Sequence, residues 1–168
     1  GPFDPSRLCI FALHIIQRSI IMHLLVTGSN GLLGQKLVAA LRNDGEVKLI
    51  ATSRGEDRTP DPGGYLYMPL DCTDETAVHR AFDETHCDAV IDTCGMTNVD
   101  ACELDPVACH LQNVTAVQNL VSASKNIDAH FIHLSTDFIF DGKNGPYSEE
   151  DQPNPLSIYG QSKWDAER

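Results

Sequence analysis

A chain of 168 residues with 42% hydrophobic content is long enough to bury one sizeable core, and its composition is that of an ordinary folded domain. A formal net charge of -12, from 24 acidic against 12 basic residues, argues against nucleic acid or an anionic membrane as the main partner. It does not exclude a nucleotide, because one glycine loop and one arginine bind phosphate locally.

Residues 1–21 read differently from the rest. Leu8 to Leu13 and Ile15-Ile16 are apolar, but His14, Gln17, Arg18 and Ser19 interrupt them. The run is too short and too polar to span a bilayer, and it lacks the small-residue cleavage site of a signal peptide. Met22 stands directly before the first strand-like run. Residues 1–21 are therefore expected to be an extension outside the fold, with one domain over 22–168.

From His23 to Gly34 the chain reads His-Leu-Leu-Val-Thr-Gly-Ser-Asn-Gly-Leu-Leu-Gly. The apolar run predicts a buried strand. Gly28, Gly31 and Gly34 then fall at i, i+3 and i+6, and Leu33, Leu37 and Leu41 share one face of a following helix. A helix N-terminus offers unpaired N–H groups and a dipole that favours negative charge. Glycines remove the side chains that would hold a pyrophosphate off the backbone. The spacing is not the commoner G-x-G-x-x-G, and by itself it also describes a tight strand-to-helix turn with no ligand.

Val47 to Ser53 is a second apolar strand. In a dinucleotide-binding unit the end of this strand meets the adenosine ribose, where an acidic residue holds a 2′-OH. Ser53 and Arg54 stand there instead and suit a 2′-phosphate; a surface arginine in a loop is an equal reading. A Pro/Gly-rich loop covers 59–64. Tyr65 to Leu70 is a third strand ending at Asp71, and Thr73 or Asp74 caps a helix that buries Ala77, Val78, Ala81 and Phe82. Asp88 to Cys94 is a fourth strand, followed by the small pair Cys94-Gly95. Asp105-Pro106 starts a helix with Val107, Leu111, Val114, Val117 and Val121 at helical spacing. Ala129 to Leu134 is a fifth strand, running into Ser135-Thr136-Asp137. After a loop rich in Gly, Pro and acid, a last helix from near Pro155 carries Tyr159 and Lys163.

Strands alternating with helices predict a doubly wound parallel α/β sheet of the Rossmann, NAD(P)-binding class. Such a domain usually has a sixth strand, so the fold is expected to be truncated after the Tyr159/Lys163 helix, without a C-terminal substrate lobe. Cysteines 9, 72, 87, 94, 102 and 109 form no C-x-x-C and no Cys/His zinc spacing. Reduced, mostly buried thiols in a cytoplasmic protein, and no metal site, are expected. His130 and His133 lie three apart in a strand, so they point to opposite faces and are unpromising as ligands.

Three features fall at the carboxyl ends of strands, where open α/β sheets bind ligands: the glycine loop, Ser135-Thr136 and the Tyr159-Gly-Gln-Ser-Lys163 unit. Tyr159 and Lys163 are i and i+4 and share a helix face. An ammonium beside a phenol favours the phenolate, which makes tyrosine usable as a proton donor near neutral pH. A Thr136 hydroxyl can hold a carbonyl oxygen against that phenol. Tyr and Lys on a helix usually do nothing chemical; in register with the other two features the pattern is strong.

The combination resembles the extended short-chain dehydrogenase/reductases and, within them, the dTDP-4-dehydrorhamnose reductase family. The resemblance covers 22–168 and rests on LLVTGSNGLLGQKL at 24–37, MTNVDACELDP at 96–106, HLSTDFIFDGKNGPYSEEDQPNPLSIYGQSKWDAE at 133–167, and Asn113. It implies a cytoplasmic oxidoreductase of dTDP-rhamnose biosynthesis, in which hydride passes from nicotinamide C4 to the 4-keto carbon of a nucleotide-linked 6-deoxyhexose. Carried over by position, Gly28, Gly31 and Gly34 bracket the pyrophosphate with Asn30, Leu32 and Leu33 beside them. Ser53 and Arg54 meet the ribose, Asp71 and Cys72 border the adenine, and Cys94, Gly95, Met96 and Asn113 lie along the cofactor. Thr136, Tyr159 and Lys163 form the catalytic triad, with Tyr159 and Lys163 also touching the cofactor, which is NADP(H) or NAD(H), NADPH slightly favoured. The implied partner is a nucleotide sugar, and a homodimer of a full-length chain is left open. Where the family's fourth strand usually ends Asn-Ala-Ala-Ala, this chain has Asp92-Thr93-Cys94-Gly95. The regulatory β subunit of methionine adenosyltransferase carries the same motifs as a non-catalytic NADP-binding partner, and other sugar-nucleotide epimerases and dehydratases share them too.

Overall fold

The computed structural model describes residues 21–168, so the expected extension lies outside the described residues except for Ile21. Five strands form one parallel sheet: β1 (Met22–Thr27), β2 (Val47–Ser53), β3 (Leu66–Pro69), β4 (Ala89–Asp92) and β5 (His130–His133). Their order is β3-β2-β1-β4-β5. The chain winds outward from β1 to one side, then returns to β1 and winds to the other. That reversal opens a crevice beyond the carboxyl ends of β1 and β4, where doubly wound sheets bind ligands. The helices are α1 (Leu32–Leu41), α2 (Glu75–Thr85), α3 (Val99–Leu104), α4 (Pro106–His110), α5 (Ala116–Asn126) and α6 (Ile158–Glu167).

Consecutive strand residues point to opposite faces, so the unbroken apolar runs feed two cores. Leu25, Ile50 and Val90, paired side by side in register, face Val78 and Phe82 of α2 and Leu120 and Ala123 of α5. Leu24, Val26, Leu49 and Ala51 face Val38 of α1 on the other side. Full burial of such a side chain is worth about 1.5–3 kcal/mol, which fixes the register: a one-residue slip would exchange the two cores.

The expected strands and helices form, with differences that have local causes. Strands three to five are shorter than their apolar runs, because pairing is parallel and stops where the neighbouring strand stops. Of Thr73 and Asp74, it is Asp74 that caps α2, accepting from Ala77 N at 3.0 Å. The last helix starts at Ile158, since Ser157 supplies the cap by accepting from Gly160 N at 3.0 Å; Pro155 belongs to the approach.

The largest departure is between residues 98 and 126. An unanticipated helix, α3, is capped by Asn98 and is six residues long, too short for periodicity to register. The single helix expected from Asp105 is instead α4, a π-helical turn over Leu111–Thr115, and α5. The wider turn shifts the buried face. Of the apolar residues at helical spacing, Val107 and Leu111 are exposed and Val114 and Val117 buried, and Cys109 and Asn113 join the buried side. No helix among the described residues is long and apolar enough to cross a membrane, and none of their His, Cys, Asp and Glu side chains cluster in threes suited to a metal ion.

Candidate functional site

The three glycines after β1 have different physical reasons. Gly28 takes φ +66°, and a Cβ there would lie 2.9 Å from Cys94 N and Thr93 Oγ1. A Cβ on Gly34 would overlap the Gly28 carbonyl oxygen and lie 2.7 Å from Ser29 Cα. Both are glycines because the protein's own backbone passes there. Gly31 is not: its φ of -78° and ψ of 169° suit any residue, and a Cβ would meet only Gly28 O, at 3.2 Å. Gly31 sits at the mouth of α1, where no side chain caps the helix and no acid stands in the first turn. Leu32 and Leu33, next in the chain, carry exposed side chains. The positive end of the α1 dipole thus opens onto free space.

That space is a cleft with two lobes that share Gly31, Thr93, Cys94 and Gly95. One lobe, of about 240 Å³, runs from Gly28 past Ser53 and Arg54 to Asp71 and Cys72. Burial pushes the Asp71 carboxyl up, but the Thr73 N–H and hydroxyl, with the Arg54 charge, outweigh it and hold it below its ordinary range. The other lobe, of about 340 Å³, lies between Leu32–Gly34 and Met96, Asn113, Ser135, Tyr159 and Lys163. Two sequence candidates have duties elsewhere. Asn30 ties the glycine loop to the β2–β3 loop, donating to Glu56 O and accepting from Arg58 N, each at 2.9 Å. Thr136 starts a 3-10 turn, accepting from Phe138 N at 3.2 Å, and the cleft wall beside Tyr159 is Ser135.

The small residues after β4 are held from two directions. The Thr93 hydroxyl donates to Thr27 O at 2.7 Å, which gives the polar residue at this position a role. Asn113, buried in the π turn, accepts from Met96 N at 2.7 Å and donates to Met96 O and Ser162 Oγ at 2.9 Å. One amide therefore staples the 94–96 segment to α6. Gly95, at φ +153°, leaves room for it: a Cβ would stand 3.1 Å from Asn113 Oδ1. Gly160 acts likewise on the other side, since a Cβ there would overlap Phe138 O. Its absence lets α6 lie on the 3-10 turn, with the Tyr159 and Phe138 rings edge to face at 5.9 Å.

The structure brings Tyr159 and Lys163 to one lobe, but the recorded partners of the Lys163 ammonium lie in the sheet. Its Nζ donates to Leu134 O at 2.6 Å and stands 3.1 Å from His133 Nε2. His133 Nδ1 is 2.9 Å from Asp92 Oδ2, and Thr27 Oγ1 donates to Asp92 Oδ1 at 2.6 Å. Cys94 adds its N–H at 3.2 Å and its thiol at 3.0 Å to the same oxygen. Burial pushes the Asp92 carboxyl up, yet these hydrogen bonds, His133 first, hold it below the usual carboxylate range. Burial pushes Lys163 below its ordinary value against the pull of Asp92, Cys94 and Glu167. Sequence reasoning missed Asp92 and His133. Opposite-face geometry for His130 and His133 holds, and it is what turns His133 inward; the one available signal was the unusual Asp92.

A family model described as the RmlD substrate binding domain matches residues 22–168. A probable low-salt glycan biosynthesis reductase, Agl14, of Haloferax volcanii is 38% identical over 146 residues, covering 84% of this chain and 46% of the relative. Methionine adenosyltransferase 2 subunit beta of Xenopus laevis is 32% identical over 145 residues, 86% of this chain and 41% of the relative. A hypothetical dTDP-4-dehydrorhamnose reductase from Sulfolobus tokodaii superposes with a TM-score of 0.77 at 35% identity, over 87% of this chain and 50% of that one. The dTDP-4-dehydrorhamnose reductase of Bacillus anthracis, solved in complex with NADP, gives 0.74 at 28% identity, over 87% and 48%. The chain spans less than half the length of these curated relatives.

Proposed function

Since the chain belongs to the RmlD substrate-binding-domain family, we propose that residues 22–168 are the NAD(P)-binding domain of a cytoplasmic reductase that acts on a nucleotide-linked 4-keto-6-deoxy sugar. In this reading the sugar pocket is completed by a C-terminal lobe that these residues do not contain. The single observation that carries the cofactor assignment is Gly31: its backbone conformation suits any residue and the fold crowds it through one oxygen only, while a diphosphate approaching the mouth of α1 needs the space a side chain would fill. The NADP of the Bacillus anthracis relative supports the same cofactor class.

Gly28, Gly31, Gly34 and the backbone of Leu32 and Leu33 would hold the pyrophosphate, with Asn30 fixing the loop. Asp71 and Cys72 would border the adenine, Ser53 and Arg54 the ribose, and Cys94, Gly95 and Met96, braced by Asn113, the middle of the dinucleotide. Arg54, with no acid at the end of β2, favours NADPH over NADH. When bound, the nicotinamide supplies a hydride to the keto carbon. Tyr159 Oη gives a proton to the resulting sugar alkoxide, and Lys163 replenishes and orients that phenol while holding the nicotinamide ribose. Thr136, next to the Ser135 wall, would orient the carbonyl oxygen by turning its hydroxyl from Asp137 into the lobe.

Gly31→Val should still fold, with a modest drop in melting temperature from the tight approach to Gly28 O, and should abolish NADPH binding in a fluorescence titration. Undiminished binding would place the cofactor elsewhere. The methionine adenosyltransferase β-subunit relatives support a second reading, a domain that binds cofactor without turnover. Tyr159→Phe separates the two. For the reductase, NADPH oxidation with a dTDP-4-keto-6-deoxyhexose falls by about 10²-fold or more while NADPH affinity persists. A full-length parent that binds NADPH but turns over no nucleotide sugar favours the second.

A further inference from the structure

We propose that Asp92 and His133 are positioning residues that fix which N–H of the Lys163 ammonium faces the cleft. They act through one buried hydrogen-bond chain that crosses the sheet from β1 through β4 and β5 to α6. The inference rests on the reading of Lys163 as the lysine beside the cofactor, and deepens it by naming what aims that side chain.

The chain's polarity follows from counting donors. An ionised carboxylate only accepts, so the hydrogen between Asp92 Oδ2 and His133 Nδ1, 2.9 Å apart, sits on the nitrogen. A neutral ring protonated at Nδ1 leaves a lone pair on Nε2. Lys163 Nζ, 3.1 Å away, donates to it. A second ammonium hydrogen goes to Leu134 O at 2.6 Å. Two of the three N–H directions are then spoken for, and tetrahedral geometry sets the third, in a side chain that itself lines the cleft with Tyr159. Without the ring, a four-carbon stem with one anchor is free to turn.

The arrangement is more than the satisfaction of a buried acid. Thr27 Oγ1, Cys94 N and Cys94 Sγ already serve Asp92 Oδ1. Oδ2 is left to His133, a β5 residue whose side chain is largely enclosed, with Phe131 stacked near it at 6.3 Å. The charged and titratable groups facing Lys163 are Asp92, His133 and Cys94 from the sheet side and Tyr159 and Glu167 from its own helix. Asparagine in place of Asp92 would turn an N–H toward His133, since Thr27 continues to claim the oxygen. Nδ1 would then have to accept, the ring hydrogen would move to Nε2, and that hydrogen would point at the ammonium.

The test uses the intact protein without cofactor or sugar, labelled with 15N in histidine and lysine. Ring 15N spectra of the parent at neutral pH should show His133 protonated at Nδ1, with Nε2 accepting. Protonation at Nε2, or at both nitrogens, would overturn the inference, and this measurement needs no variant. In Asp92→Asn the hydrogen should shift to Nε2, and the Lys163 titration midpoint should fall. His133→Phe should lower the midpoint as well, and His133→Gln, which keeps an acceptor for Nζ, should restore part of it. A Lys163 titration identical in parent, Asp92→Asn and His133→Phe would sink the proposal. None of these readouts involves NADPH, so their failure leaves the reductase reading to Gly31→Val and Tyr159→Phe.

Discussion

The two lobes of the cleft are built from opposite materials. On the adenosine side, Arg54 and Asp71 are exposed residues at strand ends, and the Asp71 carboxylate is tied only to Thr73, two residues on. On the Tyr159 side, Asp92, Asn113 and Lys163 are buried, and every polar atom is committed to another element. A change on the first side alters what is bound and leaves the fold alone. A change on the second side disturbs fold and chemistry together, because an unpartnered buried group costs about 1–3 kcal/mol. The glycine loop is the wall they share, and it contains both kinds of residue.

That contrast is broken or confirmed most sharply within the loop. Gly34→Ala places a methyl group on backbone that has no rotamer with which to yield, so it should destabilise by several kcal/mol, about 3 or more, in denaturant melts. Gly31→Ala meets one backbone oxygen, Gly28 O, at a tight 3.2 Å in an unstrained conformation, so that carbonyl must yield by a few tenths of an ångström and the loss should stay well below that of Gly34→Ala, about 1 kcal/mol. Equal losses at both positions would mean that Gly31 serves the fold and not a ligand.

The buried lobe should also announce itself in the pH dependence of stability. Asp92 is ionised in the folded state below the pH at which it ionises in the unfolded chain, where its value is 3.8. Its stabilisation is complete above that value and is lost as pH falls through the lower, folded one. Asp141 contributes in the same direction away from the cleft, where the Lys143 N–H, the Tyr147 hydroxyl and the Asn154 amide hold it to about 2. Lys163 has the same sign at the alkaline end: burial holds its folded value below 10.5, so stability again rises with pH between the two. Asp92→Asn should therefore flatten part of the acid limb seen in thermal melts below about pH 4. An unaltered limb would mean that Asp92 is not ionised in the fold.

Legibility follows the same division. Strands β1 and β2, the glycine loop and the Tyr159–Lys163 spacing are local patterns of a few consecutive residues, so periodicity and turn chemistry expose them. The Thr27–Asp92–His133–Lys163 chain is assembled from residues 27, 92, 133 and 163, and no local rule connects them. The π turn at Leu111–Thr115 defeated periodicity for a related reason. Its sequence keeps apolar residues at helical spacing, but the buried Asn113 needs a wider turn to reach Met96 and Ser162 together. Tertiary demand overrode the local pattern where the site needed a polar staple.

The smallest expected effect belongs to the exposed lobe, at Arg54. No acid terminates β2, and Arg54 stands close enough to Asp71 for its charge to draw that carboxyl down. A 2′-phosphate entering this lobe gains a guanidinium partner, whereas a 2′-hydroxyl gains little from it. Arg54→Ala should therefore weaken NADPH about tenfold, or about 1.4 kcal/mol, and NADH hardly at all. The side chain is solvated, so the discrimination should shrink as salt is raised, with the Debye length dropping from about 10 Å at 0.1 M toward 3 Å at 1 M. Fluorescence titrations with both cofactors at two salt concentrations decide it. Parallel losses for NADPH and NADH, or a preference for NADPH that ignores salt, would remove Arg54 from the reading of the 2′ position and leave cofactor choice to groups inside the buried lobe.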